Sequence, residues 1–255
     1  MEIKPIRLVL NAGQDAGDDA LAPLNKHFRV VAEAVNDAYR QRVDGNPAND
    51  PISRLAIVSD FLSVMSRLDD KYGADSALPI DDAPDAVDEV LRCLAELESW
   101  LIRLDLAGQI ARIQSVEIGV GYWAMRHGLP VFTVEPIVNA LAAQSNAATS
   151  KQETAAIYAL MQGFISHFSP LLEADLERSN PQRPWRLLNL NFAITAIRSG
   201  DAALMRYAFD TLNSHLPDER SGFYEEAYAL ASQPGFPQET KGLIEAEITR
   251  WTRVH

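Results

Sequence analysis

An all-α protein built from packed amphipathic helices is what this sequence predicts, and three observations predict it. Apolar residues recur at steps of three and four along the N-terminal half. Residues that start and stop helices bracket those stretches. In the C-terminal half, glycines recur about every 35 residues, a length that suits a unit of two helices. The expected architecture is antiparallel helical hairpins. An N-terminal three-helix section continues into an irregular α-solenoid, roughly nine or ten helices in all. The expected divisions are an extension over residues 1–16, a long-helix section over 17–110 and a repeat-like section over 111–255.

In the extension, Ile3 to Leu10 reads as an extended segment ended by Asn11-Ala12-Gly13. Gly13 and Gly17 lack the lysine and the spacing of a phosphate loop, and Asp15, Asp18 and Asp19 would repel phosphate. The first helix, expected from about Asp18 to Val43, carries Leu21, Leu24, Phe28, Val31, Val35 and Ala38 on one stripe. Asp44-Gly45-Asn46-Pro47 breaks it. Asp50 before Pro51 then starts the second helix, a capping carboxylate ahead of a proline whose missing N–H costs nothing there.

The second helix has two apolar stripes, Leu55, Val58, Leu62, Met65 and Ile57, Phe61, Val64, Leu68, so cover from two sides and a central place are expected. Gly73 ends it. The third begins near Pro84 and repeats Val87, Val90, Leu94, Leu97, Leu101 and Leu104, a coiled-coil-like seam widened by Leu91 and Trp100.

Farther on, Gly128, Gly163, Gly200 and Gly235 stand 35, 37 and 35 residues apart. Each follows an alanine by four positions: Ala124, Ala159, Ala196 and Ala231. Around Gly200, Phe192-Ala193 and Ala196 precede a Gly-Asp turn, Met205, Phe209 and Leu212 follow it, and Pro217 closes the unit. That stretch resembles a tetratricopeptide-type hairpin, which implies a repeat-like scaffold rather than a particular activity. The other units depart from the pattern: Pro136 and Pro170 fall where second helices should be under way, and Ser169-Pro170 looks like a fresh helix start.

For chemistry, Asp81-Asp82-Ala83-Pro84-Asp85 resembles the aspartate-rich, magnesium-binding motif of class I terpene and prenyl synthases, which are also all-helical. The resemblance implies carboxylates holding Mg²⁺ against a diphosphate. A helix start is the competing reading, with Asp82 as cap and Asp85 facing the positive end of the helix dipole. No second motif of Asn, Ser and Glu follows downstream. The five histidines, His27, His127, His167, His215 and His255, show no i, i+4 pair for a local zinc site. His127 and His215 fall near helix C-termini. Cys93, the single cysteine, lies among leucines and reads as a buried structural thiol. Ser150 and Glu153 have capping-box spacing.

The net charge of −12 argues against nucleic acid and anionic membrane surfaces, and favours a basic partner. Ile6 to Leu10 is too short an apolar run for a signal peptide. A cytosolic location and no cofactor are expected. The leading function is a non-enzymatic protein–protein interaction or adaptor protein with a helical groove. Trp185, Phe192, Tyr224 and Tyr228 are its candidate aromatic anchors. One alternative is an all-α Mg-dependent enzyme using Asp81, Asp82 and Asp85. The other is a helical homodimer packed through Val87 to Leu104.

Overall fold

The computed structural model describes residues 22–41, 50–172, 180–233 and 235–252. The expectations for residues 1–16, the first helix's ends at Asp18 and Val43, the break at Asp44 to Pro47 and His255 lie outside them. Ten α-helices and no strand occur among the described residues. They are α1 (Ala22–Gln41), α2 (Pro51–Tyr72), α3 (Ala83–Arg103), α4 (Ile110–Arg126) and α5 (Glu135–Ala147). There follow α6 (Lys151–Leu172), α7 (Pro184–Ser199), α8 (Ala202–His215), α9 (Arg220–Ala231) and α10 (Gln238–Thr252). The chain divides into two compact units, one through Gln144 and one from Ser145.

In the first unit α2 packs on α1 and α3, α3 on α4, and α4 back on α1. Four helices thus close a ring, and α4 belongs with the three helices from which a division at residue 110 separated it. Leu24, Phe28, Val31 and Val35 of α1 turn into the core, as their spacing requires. So does the whole seam of α3, from Val87 to Leu104. Within the chain, α3 packs on α2 and α4.

A ring of four has no central helix, and α2 corrects the sequence reading accordingly. Its first stripe, Leu55, Val58, Leu62 and Met65, is buried. Of the second, Ile57 and Val64 are 39 % and 37 % exposed, and Phe61 and Leu68 are half-buried. The helix limits follow the punctuation. Asp50 Oδ1 accepts from the Ile52 N–H at 2.8 Å, and Gly73 ends α2 at φ 88°.

In the second unit α7 packs on α6, α8 and α9, while α10 packs on α9 and α8. The Gly200-Asp201 turn joins α7 to α8 as expected. Gly200 is left-handed at φ 66°, and Asp201 Oδ1 accepts from Ala203 and Leu204 N–H at 2.8 and 3.1 Å. Met205, Phe209 and Leu212 are buried. The capping box also forms, with Glu153 N–H on Ser150 Oγ and Ser150 N–H on Glu153 Oε2.

The glycine period holds only in part. Gly128, Gly200 and Gly235 have positive φ, but Gly163 lies inside α6. Ala124, Ala196 and Ala231 are buried, and Ala159 is half-buried. Pro170 does not open a helix; it sits in the last turn of α6, where only one backbone bond is lost.

Candidate functional site

Within the first unit, α1 and α2 touch each other less than each touches its other neighbour. The space left is an open groove of about 700 Å³, within the range of ligand-binding clefts. Its floor is Phe28, Leu55 and Leu62, side chains that the helical period turns inward. One wall is Asn25, Arg29, Ala32 and Asn36 of α1, at steps of four, three and four. The other wall repeats those steps on α2 with Ile52, Ala56, Ser59 and Ser63. Half of the wall side chains, Ala32, Ala56, Ser59 and Ser63, are short, so the helices do not fill the space between them.

Lys26 and Arg29 are exposed at this groove; among the described residues no carboxylate lines it and neither cation is ion-paired. In a chain of net charge −12 this is a local reversal of sign. Sequence reasoning missed the groove. Its walls belong to two helices, and only their mutual placement brings the two sets of small residues together.

The aspartates expected at the start of α3 are there, but Asp82 does not cap. It occupies the N-cap position with φ −87° and ψ 2°, and its side chain makes no cap hydrogen bond. A capping side chain needs an extended backbone to reach the N–H groups ahead of it, which Asp50 (ψ 124°) and Asp201 (ψ 116°) have. Asp81, Asp82 and Asp85 are all exposed. Among the described residues no three His, Cys, Asp or Glu side chains gather to hold a metal ion.

Three of the four aromatic side chains offered as anchors are interior. Trp185, Phe192 and Tyr224 are 3 % exposed or less. Trp185 lies against the His215 ring at 4.8 Å, and Phe192 stacks on Tyr158 at 4.5 Å. Tyr224 donates to Asn213 Oδ1 at 3.1 Å, and burial holds its phenol above the ordinary range. Tyr228 is half-buried; its hydroxyl donates to Glu245 Oε1 at 3.0 Å and its ring lies 4.8 Å from Lys241 Nζ. Short helices packed on several neighbours need large rings as filling, so these four do not form an open aromatic surface.

Two acid–base arrangements were not legible in the sequence. Asp69, near the end of α2, accepts from Trp123 Nε1 at 2.7 Å and meets His127 Nε2 at 2.9 Å. The other ring nitrogen of His127 meets the Ser76 carbonyl. An Asp–His pair resembles part of a catalytic dyad, but here both imidazole nitrogens are occupied within the protein. None is left to take a proton from a substrate. The pair instead fastens the ends of α2 and α4 to the turn after Gly73.

Glu117 on α4 is 1 % exposed, and one carboxyl oxygen is buried without a partner among the described residues. Burial first, then the nearby Glu98 charge, raise its pKa well above the ordinary value. A buried acid with a raised pKa is a candidate general acid, but the groove does not include it. The Cys93 thiol is buried and pushed up to about 11 by burial and by Glu89 and Glu96, which makes it a poor nucleophile. Comparison with family models, with characterised proteins and with solved structures finds nothing that matches this chain.

Proposed function

We propose that this chain is a non-enzymatic interaction protein that holds a segment of another protein in the groove between α1 and α2. The observation that carries the reading is the pair of matched walls, at steps of four, three and four and kept low by Ala32, Ala56, Ser59 and Ser63, over an apolar floor. Such a trench suits a rod-like segment better than a compact substrate. The internal satisfaction of His127 and the burial of Glu117 and Cys93 favour binding over acid–base or nucleophilic chemistry.

The second unit is the scaffold in this reading. Its α7–α8 and α9–α10 pairs pack first helix on first and second on second, which supports a tetratricopeptide-like arrangement of hairpins. No described helix is long and apolar enough to cross a membrane, and we place the work in the cytosol. The Mg-dependent alternative gains nothing from Asp81, Asp82 and Asp85, which lie exposed around a helix start. A photo-reactive amino acid at Ser59, in the groove, should give a discrete protein adduct in the native cell. The same group at exposed Ser99 on α3 should not. No adduct at Ser59, or the same adducts at both positions, contradicts the proposal.

A further inference from the structure

Resting on that reading, we infer that the occupant of the α1–α2 groove is an acidic amphipathic helix of a partner protein. The walls run from Asn25 to Asn36 and from Ile52 to Ser63, about 16 Å or three helical turns at 1.5 Å per residue. Steps of four, three and four are those with which one helix receives the side chains of another in bundle packing. Ala32, Ala56, Ser59 and Ser63 keep the walls low, so a third helix can approach and set an apolar stripe over Phe28, Leu55 and Leu62.

Charge selects the partner. Lys26 and Arg29 stand one turn apart on α1, unpaired with any described residue and unopposed by a carboxylate in the lining. Aspartates or glutamates one turn apart on the edge of a docked helix would meet them. The net charge of −12 points to a basic partner, but electrostatic recognition is decided within about a Debye length of the contact, 8 Å at physiological salt. Both charged side chains in the groove's lining are cations, so the lining itself favours an acid over a base.

The test uses the whole chain and two labelled amphipathic peptides of three helical turns. They share one leucine stripe and carry either glutamate or lysine on its edges. Fluorescence anisotropy should show the glutamate peptide binding at least about tenfold more tightly than the lysine peptide. Lys26→Glu with Arg29→Glu should reverse that order while leaving the melting temperature unchanged, because both side chains are exposed. Amide NMR shifts should fall at Ala32, Ala56, Ser59 and Ser63.

Equal binding of the two peptides, or an order that the double substitution does not reverse, overturns the acidic-helix inference. Shifts confined to another surface overturn it as well. The broader reading has its own readout in the Ser59 adduct. A discrete adduct that survives the double substitution retires the acidic helix alone; loss of every Ser59 adduct in the wild type retires both.

Discussion

α3 and α4 pack on each other, and Leu94, Leu97 and Leu101 of α3 and Ile113, Val116 and Val120 of α4 are all fully buried. Where α1 faces α2, the outer positions are Ala32, Ala56, Ser59 and Ser63, and a groove remains. All four helices are amphipathic and of similar length, so the size of the side chains at the contact decides which side closes. Gly119 sharpens the contrast. A Cβ built there would run into the Leu24 side chain, so the missing side chain lets α1 seat deeply on α4. Drawn to α4 and given little to fill the other side, α1 leaves the gap toward α2 open. One side of the unit supplies stability, and the other supplies surface.

The largest effect that separates the two sides should come from Leu94→Ala. It empties a fully buried site and should cost about 2–5 kcal/mol by urea unfolding. Ser59→Ala in the groove wall should stay within about 0.5 kcal/mol. Gly119→Ala comes next, because Leu24 has to move, and about 1–3 kcal/mol is expected in the same measurement. A neutral result there would remove the explanation for where α1 sits.

Glu117 offers a test through pH. Its folded-state pKa is raised, so the folded state binds the proton more tightly than the unfolded one between the two values. The stability associated with that proton is fully present below about pH 4 and is lost as pH rises toward the folded-state pKa. Glu117→Gln should therefore raise the melting temperature at pH 8, and the gain should shrink toward pH 4. A gain that does not vary with pH would mean that the carboxyl is ionised or solvated.

The smallest effects concern the caps. Asp50→Ala should cost about 0.5–2 kcal/mol, because the Ile52 N–H loses its partner. Asp82→Ala should fall within about 0.5 kcal/mol, because no cap bond exists to lose. Equal costs would show that Asp82 caps in solution.

The helices were largely legible because a helix advertises itself locally, by period and by punctuation. Leu24 to Val35 and Val87 to Leu104 carry their burial in their spacing, and Asp50, Gly73, Ser150 and Gly200 mark their boundaries. What failed was what depends on neighbours. The stripe of Ile57 and Val64 looks no different in sequence from the buried one, and only the ring's closure leaves it outside. Gly163 has the spacing of a turn, yet helix-forming residues on both sides carry α6 through it. Trp185, Phe192 and Tyr224 look like anchors until three-dimensional packing turns them inward. The groove was illegible for the same reason. Arg29 and Ala56 are ordinary helix positions until α1 and α2 come together.

The claim that the α1–α2 side is the working surface is tested most directly by amide hydrogen exchange on the whole chain, with and without excess glutamate peptide. The account predicts added protection over residues 25–36 and 52–63 and no change in α3, in α4 or beyond Ser145. Protection gained mainly along α3 and α4 or in the second unit, or gained nowhere, would contradict it.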